Sequence, residues 1–323
     1  MNNRKRLIKY ILGVLFTIII GGCNKPDTKV DLTLVTEPIF IAEGVRSVWV
    51  TKQEQDVLRI TYQPHDYEAS FEYWKMDIPY NNEVVVNTEE MLKLYQQLVI
   101  LDVEKTPLTG ETKTNLDNPL GKIRVEFCQT TKDERAAALM GQAIDREASP
   151  SYQRTADSTA TLLIGANDGQ GNYYVAYEGA KEQVFLLSER LVNAVLDIRP
   201  FDYIIKVSAV ADIETVKNVT INSGGETYKL SEKQLSEQQY RLLYNDLLSV
   251  FVVEEIAGMS QVDSEAILEF KFKRNVKDAP DLHITYHAWD EERYAVSVNG
   301  ETFFLVDSSE VEALKTKIEE TFA

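Results

Sequence analysis

The sequence predicts an α+β fold: two tandem copies of a mainly antiparallel sheet-plus-helix unit behind a lipoprotein signal peptide. Three observations predict it. A basic start, an apolar run and a cysteine open the chain; strand-like and helix-like segments then recur in the same order at a near-constant offset; and the strands follow one another without the βαβ alternation of a doubly wound fold. The chain has 323 residues, 44% of them apolar, which is enough for a core in two average units. Its net charge of −17, from 51 acidic against 34 basic residues, argues against a nucleic-acid partner, because phosphate binding needs clustered Lys and Arg.

Residues 1–22 place Arg4, Lys5, Arg6 and Lys9 ahead of an apolar run from Ile11 to Ile20, broken by Gly13 and Thr17. Ile20-Gly21-Gly22-Cys23 closes the run with small residues. This is the layout of a secretory signal peptide, and it resembles a bacterial lipobox with Ile20 where Leu is usual. The resemblance implies cleavage before Cys23 and a thioether-linked diacylglycerol on its sulfur. The alternatives are plain secretion and an uncleaved membrane helix; Leu7 to Gly22 spans 16 residues, below the roughly 17–25 that a crossing needs. Removing residues 1–22 takes away four positive charges and moves the net charge from −17 to −21. Anionic lipid surfaces repel such a body, so the lipid itself has to hold it. Residues 23–39 read as the lipidated cysteine and a polar tether with Pro26 and Pro38 near its ends. A flexible chain of about 15 residues spans roughly 20 Å.

The first unit is expected over residues 40–205 and the second over 206–323. Leu94-Tyr95 through Val103 lines up with Leu243-Tyr244 through Val252 at an offset of 149, each beginning on helical spacing. Ile123-Arg124-Val125-Glu126-Phe127 matches Leu268-Glu269-Phe270-Lys271-Phe272 at offset 145, a strand alternation in both copies. Leu162-Leu163-Ile164 matches Leu282-His283-Ile284 at offset 120, with Tyr174 on Tyr294. A hairpin follows in each: Tyr173 to Tyr177 and Val184 to Leu187 about a turn at 178–181, then Tyr294 to Val298 and Phe303 to Val306 about Asn299-Gly300. Here Leu186 falls on Leu305 at offset 119. Helices from Ser188 to Asp197 and from Ser308 to Phe322 close the copies, with Ser308 or Ser309 as a cap for the second. The first copy carries about 25 more residues near 131–158. They read as an inserted amphipathic helix, either a contact surface or a decoration. Phe201 to Ala211 is the join.

Chemistry-bearing residues are few. His283 and His287 have the spacing that binds zinc on a helix, but Leu282, Ile284 and Tyr286 alternate as a strand. Four strand steps separate the rings by about 13 Å, too far for a common ion. His65 reads as a turn residue. Asn167-Asp168-Gly169-Gln170-Gly171-Asn172 lacks the spaced acids of a calcium loop and reads as a hairpin turn, as does Ser223-Gly224-Gly225. Cys128 is expected on the strand face shared by Arg124 and Glu126, and the sequence offers no evidence of a cation that would activate it. Trp49, Tyr62, Phe71, Tyr73 and Trp74 read as core and cross-strand packing, with exposed stacking platforms as the alternative. No P-loop, Gly-x-Ser-x-Gly or Gly-x-Gly-x-x-Gly occurs. The expectation is no catalytic residue, no metal and no cofactor, and one modification site, Cys23.

Leu162-Leu163-Ile164-Gly165, Tyr173-Tyr174-Val175, Val184-Phe185-Leu186-Leu187 and the Phe201-Asp202 join resemble the family called domain of unknown function 4340. The likeness covers most of residues 40–323, and Thr285 stands where a second Gly165 would. It implies a membrane-anchored protein beside ABC-type permeases and no assigned catalytic residues. The expected function is therefore a lipoprotein on the extracytoplasmic face of the cell membrane, a non-enzymatic accessory or interaction module of an ABC-type transport complex. The alternative is a solute-binding lipoprotein delivering a small ligand to an ABC importer, which would show two βαβ lobes; a hydrolase is the third and weakest reading.

Overall fold

The computed structural model describes residues 44–64, 73–81, 83–99, 104–105, 112–128, 156–231, 234–256, 262, 264–277 and 279–323. Cys23 and the tether, His65, Phe71 and residues 131–155 of the inserted segment lie outside them, as does the side chain of Leu98.

The first half runs β1 (Val45–Lys52), β2 (Gln55–Tyr62), β3 (Trp74–Ile78), α1 (Thr88–Val99), β4 (Glu104–Lys105), β5 (Gly121–Phe127), β6 (Ser158–Asn167), β7 (Asn172–Tyr177), β8 (Phe185–Ser188) and α2 (Glu189–Leu196). The second runs β9 (Val216–Ser223), β10 (Glu226–Leu230), α3 (Glu237–Leu248), β11 (Val252–Glu255), β12 (Ala266–Arg274), β13 (Leu282–Ala288), β14 (Arg293–Val298), β15 (Glu301–Asp307) and α4 (Ser308–Phe322). Each half builds one antiparallel sheet, ordered β3-β2-β1-β5-β6-β7-β8-β4 and β10-β9-β12-β13-β14-β15-β11. Apart from β3, which extends one edge of the first sheet, the two orders are the same.

The ladders fix which residues correspond. Lys52 closes onto Gln55 as Ser223 closes onto Glu226, and Gly121 pairs with Lys52 as Leu268 pairs with Ser223. Ile123 is therefore equivalent to Phe270 and not to Leu268, a slip of two residues from the expected alignment. Leu162, opposite Ile123, takes the place of Ile284, opposite Phe270. A shift of two keeps every side chain on its face, so the alternation alone cannot detect it. Tyr294 pairs with Val306 as Tyr173 pairs with Leu187, which makes Tyr173 its counterpart. Tyr174 packs instead over a small separate cluster of Leu116, Leu163, Ala176 and Val184.

Leu186 and Leu305 do stand in equivalent strands, paired with Glu104 and Glu254 respectively. Leu305 is buried with Ile256 and Ala295, away from the main core, whereas Leu186 is only half-buried. The main core is one continuous cluster holding residues of both halves, with Val48, Ile60, Leu94 and Tyr95 from the first and Val219, Leu243, Tyr244 and Leu247 from the second. Tyr80 seals the two, its ring 5.3 Å from Phe303 and 5.1 Å from Phe304. The join feeds both halves: Ile204 bridges to Val86 and Val207 to Phe251.

Local chemistry explains the ends. Asn299 and Gly300 have φ of 52° and 91°, the positive pair that a type I′ hairpin demands. Ser236 and Gln239 form a capping box at α3, where Ser236 Oγ accepts from the Gln239 amide at 3.3 Å. Asp307, and not Ser308 or Ser309, sits at the N-cap of α4. Cys128 is a second departure: the ladder ends at Phe127, the Cys128 amide donates to Gly44 O at 2.8 Å, and its side chain is buried with the thiol pKa raised. Desolvation is the main cause.

Candidate functional site

Strand alternation on β12 buries Leu268, Phe270 and Phe272 and turns Glu269, Lys271 and Lys273 outward. Neighbouring strands add to that outer face. Thr220 and His283 lie opposite Lys271, Asn218 lies opposite Lys273, and Lys229 on β10 stands opposite Thr220. A hollow of about 590 Å³ opens here, lined by Lys217, Asn218, Thr220, Lys271, Lys273, Asp281 and His283, with Phe272 and Leu282 beside them.

Lys217 reaches this hollow through a bulge. The β9–β12 ladder pairs Val216 with Arg274 and Asn218 with Lys273, so Lys217 is the extra residue. Bulges bend a strand and re-aim a side chain. The first half has the same bulge: Val45 pairs with Phe127 and Ser47 with Glu126, leaving Arg46 over. A hollow of about 450 Å³ opens beside it, lined by Arg46, Ser47, Tyr62, Glu126 and Asp157 among others. The two hollows thus overlap at equivalent positions, with Arg46, Ser47 and Glu126 of the first answering to Lys217, Asn218 and Lys273 of the second.

Their charges differ. In the first, Arg46 is 6% exposed, donates to Val45 O at 2.8 Å and lies 5.0 Å from the Tyr62 ring centre, with Glu126 and Asp157 in the lining. In the second, Lys273 stands where Glu126 stands in the first, and Lys217 where Arg46 does. The two carboxylates of the second site are already held. Asp281 Oδ2 accepts from Lys273 at 2.7 Å and Oδ1 from the Arg274 amide at 3.0 Å, which lowers its pKa. Burial opposes ionisation of Glu269, but bonds from Lys271, Asn222 and His283 outweigh it and bring its pKa to about 2. Arg274 itself turns to Thr215.

The histidines do not share a partner. His283 Nε2 lies 2.6 Å from Glu269 Oε1, and His287 Nδ1 lies 2.7 Å from Ser264 O, both on β13 as the strand alternation requires. Among the described residues no group of three or more His, Cys, Asp or Glu is arranged to hold a metal. The Asn167–Asn172 segment is a hairpin turn, in which Asp168 accepts from the amides of Gln170 and Asn172 at 2.7 and 3.0 Å. The aromatic group packs across strands: Tyr62 opposes Trp74, with ring centres 5.2 Å apart, and Trp74 reaches Tyr95 at 5.6 Å.

A second titratable cluster sits at the join. Tyr80 donates to Glu255 Oε1 at 2.6 Å, and burial, then that carboxylate, raises its pKa far above the usual phenol range. Lys206 lies over the Phe201 ring, 3.0 Å from its centre, and donates to Phe201 O. Burial lowers its pKa to about 8, against the opposing pull of Asp202 and Glu255. Of these contacts the Tyr80–Glu255 bond crosses between the halves, while Lys206 and Phe201 both belong to the join.

Reading the sequence for motifs missed Lys217, Lys271 and Lys273. Their signal was present: Val45-Arg46-Ser47 and Val216-Lys217-Asn218 match at offset 171, and Glu269-Lys271-Lys273 alternates with the core residues of its strand. No family model, curated protein or solved structure matches this chain.

Proposed function

We propose that this protein is a lipoprotein attached through diacylglycerol on Cys23 to the extracytoplasmic face of the cell membrane, where its body acts as a non-catalytic accessory or interaction module of an ABC-type transport complex. The observation that carries the anchoring is the order of basic residues, apolar run and Ile20-Gly21-Gly22-Cys23 at the amino terminus. Among the described residues no helix is long and apolar enough to cross a membrane. The doubled sheet with a shared core supports a rigid docking body, since ring packing of Tyr80 on Phe303 and Phe304 ties the halves together. A solute receptor that closes on its ligand calls for two βαβ lobes, and the antiparallel ladders give that reading no support.

Labelling cells with palmitate and fractionating them tests the anchor. The full chain should carry label and sediment with membranes, and Cys23→Ala should lose both. Retention of the unlabelled variant at the membrane would refute the lipid anchor. Purification of the full chain from mild detergent extracts tests the second part: an ABC-type permease and its ATPase should accompany it, and recovery of the chain alone would refute the accessory role.

A further inference from the structure

The duplication offers an internal comparison. Both halves place a basic residue on the bulge of their first strand and open a hollow beside it, yet only the first satisfies that residue from within: Arg46 is buried, bonds to Val45 O and faces Tyr62, with Glu126 and Asp157 alongside. In the second, an acid has given way to Lys273 and a buried arginine to exposed Lys217. Of the 11 basic residues after Ala211, Lys217, Lys271 and Lys273 line the hollow and Lys229 borders it. This concentration stands out in a chain of net charge −17. Glu269 accepts from Lys271, Asn222 and His283, and Asp281 from Lys273 and the Arg274 amide, so each acid shares its lysine with other donors, and Lys217 and Lys229 add two more positive charges to the face.

We infer that the hollow over β9, β12 and β13 is a binding site for a phosphate group, with Lys217, Lys271 and Lys273 supplying charge and Thr220 and Asn218 supplying neutral donors. Ammonium groups act as point charges on a compact anion, whereas planar carboxylates favour the arginine fork. The lining holds lysines and no arginine. Strand geometry also suits the anion: Lys271 and Lys273 are two positions apart on one face, about 6.6 Å in backbone distance, close enough for both ammonium groups to converge on it.

The phosphate could belong to a soluble phosphomonoester or to an anionic lipid headgroup, and titration separates them. The full chain in neutral detergent is titrated with inorganic phosphate at constant ionic strength, and separately with micelles containing phosphatidic acid. Binding should saturate and weaken by about tenfold or more in the Lys217→Gln, Lys271→Gln, Lys273→Gln variant. A charge-matched variant with Lys93, Lys122 and Lys315 changed to Gln should bind as the parent does. The single exposed replacement Lys217→Gln, which leaves both ion pairs of β12 in place, should weaken binding in part without lowering the melting temperature. Saturation by inorganic phosphate assigns a soluble ligand, and saturation by phosphatidic acid alone assigns the lipid. Binding of neither probe, or equal binding by the parent and the triple variant, would overturn the site.

Discussion

Arg46 and Lys217 occupy the same bulge, each the extra residue between a Val that opens its strand and the next position of the ladder. A bulge is a register irregularity that chance alternation does not reproduce. Its recurrence, with matching hairpin closures on either side, supports a common origin of the halves more directly than the apolar pattern does. It also places two basic side chains in equivalent frames and lets their surroundings be compared.

The ionised Glu269 should stabilise the outer face of the second sheet. Glu269→Gln removes a charged acceptor from Lys271, Asn222 and His283 and should cost about 1–2 kcal/mol near neutral pH. Because the folded pKa is about 2 against a reference of 4.5, the contribution is full above 4.5 and is lost as pH falls toward 2. Denaturant midpoints of parent and variant should converge over that interval, and a gap that persists at its acid end would contradict the assignment.

Lys206 should act in the alkaline range. Its folded pKa of about 8 lies below the reference of 10.5, so the unfolded chain binds more protons between these values and stability gains with rising pH. The contribution is complete above 10.5 and fades as pH falls through 8. Lys206→Met removes this dependence, so the melting temperature of the parent relative to the variant should climb from pH 8 to 10. A flat difference would show that the amine is as well solvated folded as unfolded.

The hairpin between β1 and β2 places Gln53 and Glu54 at φ of 48° and 63°, while its counterpart uses Gly224 and Gly225 at 58° and 87°. Residues with a Cβ are strained there. Replacing Gln53-Glu54 by Asn-Gly should stabilise the protein by about 1 kcal/mol. The backbone bond from residue 53 to Leu120 O, 3.0 Å long, is available to either sequence. An unchanged or lower melting temperature would count against strain at this turn.

That turn shows why part of the fold was legible in the sequence and part was not. Leu94-Tyr95 and Leu243-Tyr244 announced the duplication because all four side chains are buried and therefore constrained. Asn299-Gly300 announced its hairpin because the chemistry of the turn demands those residues. Gln53-Glu54 gave no such sign, and without a visible closure the alignment slipped by two residues on β5 and β6. The lysine hollow was hidden for another reason. Lys217, Lys271 and Lys273 are ordinary surface residues in sequence, and only the pairing of three strands brings them together.

The continuous core makes a prediction about cooperativity. Leu94 and Leu243 are equivalent, 1% and 2% exposed, and belong to one apolar cluster that also holds Tyr80, Phe303 and Phe304. Truncating either to Ala removes buried methyl groups and leaves a cavity, at a cost of about 2–4 kcal/mol. If the halves were separate folding units, Leu243→Ala would lower only the second of two transitions and leave β1 and β2 protected. With a shared core and a join that bridges to Val86 on one side and Phe251 on the other, the loss should be felt throughout. Leu94→Ala and Leu243→Ala should each give a single unfolding transition at reduced denaturant concentration. Amide exchange at Val48 and Ile60, both fully buried in the first sheet, should accelerate in Leu243→Ala by the same free energy that the global unfolding loses. Exchange there at the parental rate would mean that each sheet stands alone and that the Tyr80 contact joins two independently stable bodies.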